Sequence, residues 1–304
     1  MRFFLLAGLI WIGLGSTLSA KAQDLDVTEI VTTSDAFMAQ PSADTRAALM
    51  AALSAYQGDP TVQSVNAYVG LLLHDGQGDN SADLYQSAGA ATAHFEPVAD
   101  VIPKQYIEAR FLAAVALFNL EQDTEAMIEM AHVEGRARAF IDQTGEHPDW
   151  ADSLKWKADA WGMAMEAYFE SAQERHPDES EIQDILASYG SDTAALNARA
   201  ARSLDENGLP FCSGRMIQRP AVRYPSGKAM RGMFGAVILE LEFDEEGQVF
   251  NPRVLASVPV EEFDDRSLRA VGQWKFKPDQ PKQVGVTCRL NRDSVVQPLV
   301  FQIR

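Results

Sequence analysis

The chain has 304 residues with 43 acidic against 26 basic side chains, a net charge of -17, so phosphate would meet a strongly negative surface and nucleic acid binding is disfavoured. The charge is uneven: residues 24–212 hold 10 Lys and Arg against 32 Asp and Glu, whereas 213–304 hold 14 against 11. Attraction between the two parts, or to a basic partner, would therefore be sensitive to salt.

Met1-Arg2 precedes an apolar run from Phe3 to Leu18, followed by Ala20-Lys21-Ala22-Gln23. A positive start, a run of this length and a small-x-small site read as a secretory signal peptide over 1–22. The run falls short of the ~20 residues of a spanning helix. A periplasmic location follows, and the alternative is a retained anchor in the inner membrane that leaves the chain facing the periplasm. Only in that case does the protein touch a membrane.

Residues 24–205 read as helical, rich in Ala, Leu, Met and Glu. Candidate helices cover 44–57, 61–74, 81–94, 103–120, 123–143, 149–175 and 179–206, the last broken near Gly190. Asp44 and Asp59-Pro60 are candidate caps, and Pro103 and Pro148 stand near first-turn positions. Short connections predict antiparallel neighbours. Ala109, Ala113, Ala116 and Leu117, followed by Asp123-Thr124-Glu125-Ala126, weakly resemble a degenerate tetratricopeptide-like array, although no clean 34-residue self-similarity accompanies them. The aromatic series Trp150, Trp156, Trp161, Met165, Tyr168 and Phe169 reads as core.

A second domain is predicted over 206–304. Val237, Leu239, Leu241 and Phe243 alternate with Ile238, Glu240 and Glu242, the pattern of a strand with one buried face. Asp244-Glu245-Glu246-Gly247 supplies a turn, and the chain returns from Val249 to Ala256. Phe263, Ser267, Ala270, Val271 and Trp274 recur at helical spacing over 261–276, with Asp264 at the start and Pro278 as the expected stop. Val284 to Leu290 alternate again, Asn291-Arg292-Asp293 turns, and Leu299, Phe301 and Ile303 close an antiparallel sheet. The fold expected is multidomain: an all-α array followed by a small α+β domain. Cys212 and Cys288, the two cysteines of an exported chain, read as a disulfide. It closes a loop of about 77 residues, for which loop entropy gives an upper figure of roughly 4.5 kcal/mol.

Signs of catalysis are few. There is no His-Glu-x-x-His and no Gly-x-Ser-x-Gly. Ser226-Gly227-Lys228 lacks the remainder of a phosphate-binding loop. Asp75, Gln77, Asp79, Ser81 and Asp83 mimic a calcium loop, but Asn80 and Gln86 replace its Gly and bidentate Glu, so the stretch reads as a solvated linker. Neither an enzyme nor a cofactor or metal is expected.

Arg223-Tyr224-Pro225, Gly235-Ala236-Val237, Gly247-Gln248-Val249-Phe250-Asn251, Val254-Leu255-Ala256-Ser257, Phe263-Asp264 and Trp274-Lys275-Phe276-Lys277-Pro278, ending at Phe301, resemble the C-terminal domain of the TonB family over about 215–304. The motif positions are Tyr224, Pro225, Gly235, Gly247, Phe263, Trp274 and Pro278. The resemblance implies a cell-envelope adaptor that adds an extended peptide, such as a segment of an outer-membrane transporter, to its sheet edge. Pro298 cannot donate a ladder hydrogen bond, and proline-bearing strands favour edges. The candidate docking edge is therefore Val295, Val296, Leu299, Val300, Phe301, Gln302 and Ile303. Alternatively, Pro298 marks a bulge and the segment around Val222–Tyr224 covers the edge. Two other roles are open: a membrane-anchored energy transducer, and a scaffold whose partner binds the helical array. The long Pro-rich linker and the N-terminal membrane-helix His of the transducing members have no counterpart here.

Overall fold

The computed structural model describes residues 24–172, 179–189, 211–279, 288–289 and 292–302. The signal segment, the break near Gly190, most of the strand expected over 284–290, and Ile303 lie outside them. Two compact units divide after Val133.

The first unit is helical. It holds α1 (Asp24–Ala39), α2 (Ala43–Ala55), α3 (Val62–Gln77), α4 (Ser81–Phe95), α5 (Pro103–Asn119) and the first half of α6 (Asp123–Thr144). The predicted helices recur within a few residues of their expected bounds, and α1 is an addition. Its β-branched stretch, Val27 to Thr33, is a poor helix former. The helix is held instead by burial of Ile30 and Phe37 and by packing on α2 and α3. The caps differ from those expected. Ser42 and Thr61 accept from the backbone N–H of Thr45 and Ser64, whose hydroxyls return the bond, while Asp44 sits inside the first turn. Hydroxyl residues one step before the first turn form such reciprocal boxes.

The linker expected around Asp75 is solvated only in part: Gln77 to Asn80 are exposed, but Asp75 is not. Asp75 lies in α3 with a side chain 2% exposed, and Arg46 of α2 grips it through two bonds, Nε to Oδ1 and Nη2 to Oδ2, both 2.9 Å. The same guanidinium donates to the Asp83 carbonyl at 2.8 Å. One side chain thus ties α2, α3 and α4. The calcium-like spacing is a by-product of helix ends that an arginine already neutralises.

The second unit begins with the remainder of α6, then α7 (Asp149–Ala172) and α8 (Glu179–Ser188). Between α6 and α7, Arg138 bonds Glu134 at 2.6 Å and Asp159 at 3.3 Å, and Lys155 meets Asp159 at 3.4 Å. Burial, and then the like charge of Asp159, push the Glu134 carboxyl up to about 7. A folded-state value above the unfolded one means stability is complete at low pH and is lost as pH rises from the ordinary glutamate range through about 7. Glu134→Gln should remove that loss, making the variant more stable than the parent at pH 8 by ~2 kcal/mol, and not at pH 5. Thermal unfolding at the two pH values checks this.

The α+β domain follows: β1 (Gly214–Gln218), α9 (Ser226–Ala229), β2 (Gly235–Phe243), β3 (Val249–Val258), α10 (Asp264–Val271), β4 (Lys275–Pro278) and β5 (Arg292–Phe301). The main sheet is antiparallel in the order β3-β2-β5, and β1 and β4 form a separate pair. Val237, Leu239, Leu241 and Phe243 face a core built with Phe263, Val271, Trp274, Phe276 and Phe301.

The sheet is covered on both faces near its centre. Ala236 is buried and Ile238 is 1% exposed, because α7 packs across β2, β3 and β5. Strand alternation fails to reveal this because the second face is only partly apolar, with Glu240 and Glu242 sharing it with Ala236 and Ile238. The predicted helix over 261–276 is shorter. It ends at Gly272, and Trp274 is fixed by its indole N–H donating to the Pro220 carbonyl at 3.2 Å. Lys275–Pro278 are then strand, so Pro278 ends β4 rather than stopping a helix. Asp264 occupies the first turn and makes no cap bond; burial raises its carboxyl above the usual range. Finally, Arg292 and Asp293, expected in a turn, belong to β5, where Arg292 lies opposite Phe243.

Cys212 and Cys288 are joined, with Cα atoms 5.0 Å apart. The Cys212 N–H also donates to the Arg289 carbonyl at 3.0 Å. The bond fastens the entry to β1 close to the chain that leads into β5.

Candidate peptide-docking edge

Both outer strands of the β3-β2-β5 sheet are edges, and their sequences make them unequal. In β3, pairing with β2 skips a residue beside Pro252, and Asn251 takes φ 46°. That bulge twists and interrupts the edge. In β5, pairing is continuous from Val295 opposite Leu241 to Phe301 opposite Gly235. Among the described residues no strand pairs with the other side of β5. The segment Val222–Tyr224, a candidate cover for this edge, is not a strand.

Pro298 stands opposite Ile238 within this run. It has no N–H, and its carbonyl accepts from the Gln297 side-chain amide at 2.8 Å. Both observations fit a residue whose backbone groups point away from β2. In an antiparallel ladder the backbone groups of alternate residues point the same way. Val296 and Val300 therefore turn theirs outward too, while Val295, Gln297, Leu299 and Phe301 serve β2. Val296 and Val300 are also exposed, at 39% and 48%. Of the predicted edge residues, Val295 and Leu299 pack on the domain core and Phe301 is buried in it. These three hold the strand down.

An aromatic cluster anchors the end of β5. The Phe263 and Phe301 rings stack with centroids 4.3 Å apart, and Tyr224 meets both edge-on, at 5.7 and 5.9 Å. Gly235 is required beneath them: a Cβ there would lie 2.6 Å from the Phe263 ring and 2.1 Å from the Val258 carbonyl oxygen. Tyr224, Gly235 and Phe263 thus share a purpose, which is to seat the C-terminal end of β5.

A groove of about 760 Å³ opens beside that end. Its walls are Glu166 and Glu170 of α7, the segment from Arg219 to Val222, and Leu299 to Gln302, with Tyr224 and Trp274 as floor. The Arg219 guanidinium lies 4.6 Å over the Trp274 ring. The Tyr224 hydroxyl is buried without a hydrogen-bond partner, and desolvation raises its pKa. Sequence reasoning located Tyr224 and Trp274 but not Glu166 and Glu170, which enter because α7 lies across the sheet, or Arg219, which enters by stacking on Trp274. Among the described residues no group of three or more His, Cys, Asp or Glu could hold a metal ion, and no helix is long and apolar enough to cross a membrane.

Residues 220–293 match the family described as Gram-negative bacterial TonB protein C-terminal. This part of the chain is a TonB C-terminal domain. The chain is also 31% identical over 83 residues to Protein TonB of Vibrio cholerae serotype O1 (strain ATCC 39315 / El Tor Inaba N16961). The match covers 25% of this chain and 34% of that relative, so the chain spans about a third of the relative's length. The helical region lies outside the family match, and α7, also outside it, packs on the sheet of the TonB C-terminal domain.

Proposed function

We propose that this is a cell-envelope adaptor whose TonB C-terminal domain takes an extended segment of another envelope protein along β5, an outer-membrane transporter being the expected source. The observation that carries the reading is the continuous, unpaired edge of β5, with Val296 and Val300 offering backbone donors and acceptors beside a groove. Main-chain hydrogen bonds would provide affinity, and the groove would discriminate among side chains. The apolar start of the chain supports export to the periplasm, and intact mass of the purified protein separates a mature start at Gln23 from a retained anchor.

Val300→Pro is the test. It deletes an outward N–H while sparing the residues that pair with β2. Loss of one or two hydrogen bonds of ~1 kcal/mol each should weaken binding of a labelled, alternating Val–Thr peptide by about tenfold. The circular dichroism spectrum and the melting temperature should stay close to those of the parent. Equal affinity for parent and variant, measured by fluorescence anisotropy, would sink the proposal.

A further inference from the structure

His94 is held by more than packing. It lies in the last turn of α4, where the end of α2 and the start of α3 meet it, all within the helical unit. Its ring contacts Tyr56, Tyr68 and Phe95, with centroids 5.9, 5.2 and 6.1 Å away. Its Nε2 stands 2.8 Å from the hydroxyl of Ser64, a residue with no exposed surface.

Counting bonds decides which atom donates. The Ser64 hydroxyl accepts from the Thr61 N–H at 3.0 Å and from the Thr61 hydroxyl at 3.3 Å. Thr61 Oγ1 in turn accepts from the Ser64 N–H at 3.1 Å, which completes the reciprocal cap of α3. A serine oxygen has two acceptor sites and one proton. Both sites are taken, so the proton points to His94 or to the Thr61 carbonyl, 3.1 Å away. His94 is the nearer. Its Nε2 is therefore the acceptor, and the ring proton sits on Nδ1.

An imidazolium carries protons on both nitrogens. Once charged, His94 turns a donor toward an oxygen with no vacant site, so Ser64 must drop one of its bonds from Thr61 and the start of α3 loosens. Among the described residues no charged side chain offsets this. The titratable groups in ring contact with the imidazole are Tyr56 from α2 and Tyr68 from α3, phenols that stay neutral in the acid range. Burial holds the imidazole below its usual range. We propose that His94 is an acid sensor of the helical unit, and that its protonation unfastens the junction of α2, α3 and α4. A folded-state value below the unfolded one means that stability is complete above about 6.5 and is lost as pH falls through the folded value. The two parts of the chain then respond in opposite senses, since Glu134 weakens the α6–α7 seam as pH rises.

The experiment is hydrogen exchange on the full-length protein at pH 7.5 and pH 5, corrected for the intrinsic exchange rate at each. Protection of the Ser64 and Val65 amides, in the first turn of α3, should fall about fivefold on acidification, the effect of losing one hydrogen bond. His94→Gln keeps an acceptor within reach of Ser64 and takes up no proton, so its protection should be equal at both pH values. Unchanged protection in the parent would overturn the inference. A variant that loses as much as the parent would assign the effect to another group and overturn it too. Should His94→Gln fail to fold, the parent still decides. The imidazole signal of His94, assigned through its contact with Tyr68, should titrate below the ~6.5 of a free histidine. Titration at or above that value would sink the sensor.

Discussion

Replacing Gly247 by alanine should unfold the hairpin end of the TonB C-terminal domain, at a cost of ~4 kcal/mol or more, a size reserved for backbone strain and core disruption. Gly247 takes φ 74°, a conformation that costs a residue with a Cβ about 1–2 kcal/mol. Conformation is the smaller part. A Cβ at this position would stand 1.8 Å from the Phe276 carbonyl oxygen, while the Phe276 N–H donates to the Gly247 carbonyl at 2.7 Å. The turn and β4 therefore touch backbone to backbone, and separating them breaks that bond and withdraws the Phe276 ring from the core. Gly232 is the internal control, since it has φ 64° with nothing within 4 Å of its missing Cβ. Gly232→Ala should cost only the conformational part, ~1 kcal/mol. Urea unfolding monitored by tryptophan fluorescence compares the two, and similar losses would refute the account.

Arg46→Ala should destabilise the helical unit by about 3–5 kcal/mol, because it strands a buried carboxylate. Asp75 depends on that guanidinium for both oxygens, and the Asp83 carbonyl loses its donor as well. Asp75 holds the Arg46 proton more tightly than usual, mainly through their hydrogen bond. Arg46→Lys should recover little, since a single ammonium cannot satisfy the fork. The double variant Arg46→Met, Asp75→Leu should recover most of the loss, since no charge is then left buried. Thermal melting followed at 222 nm orders the four proteins. A double variant as unstable as Arg46→Ala would mean that the helices depend on the charges themselves.

Helices α2 to α7 were legible in the sequence from composition and from the Pro and Gly residues between them, and β2 and β3 from alternation and the turn that joins them. So were the motif residues, because each meets a local demand: Gly235 under a ring, Gly247 at positive φ, Trp274 reaching Pro220. What escaped depended on contacts across long separations. Helix α1 is stabilised by neighbours despite poor propensity. Arg46 gives no sign in sequence that it will meet Asp75, 29 positions away. The groove walls from Glu166 and Glu170 and the bond between Ser64 and His94 are assembled from separate segments, so no local pattern marks them. The end of α10 was misjudged because Trp274 fits the helical period although it sits beyond the helix.

The packing of α7 over Ala236 and Ile238 also governs how the protein can be dissected. A fragment trimmed to residues 211–304, which keeps every strand but loses α7, would present that apolar sheet surface to water and invite self-association. A cut just before Glu134 keeps both layers together, and it is the fragment on which peptide affinity is best measured apart from the preceding helices.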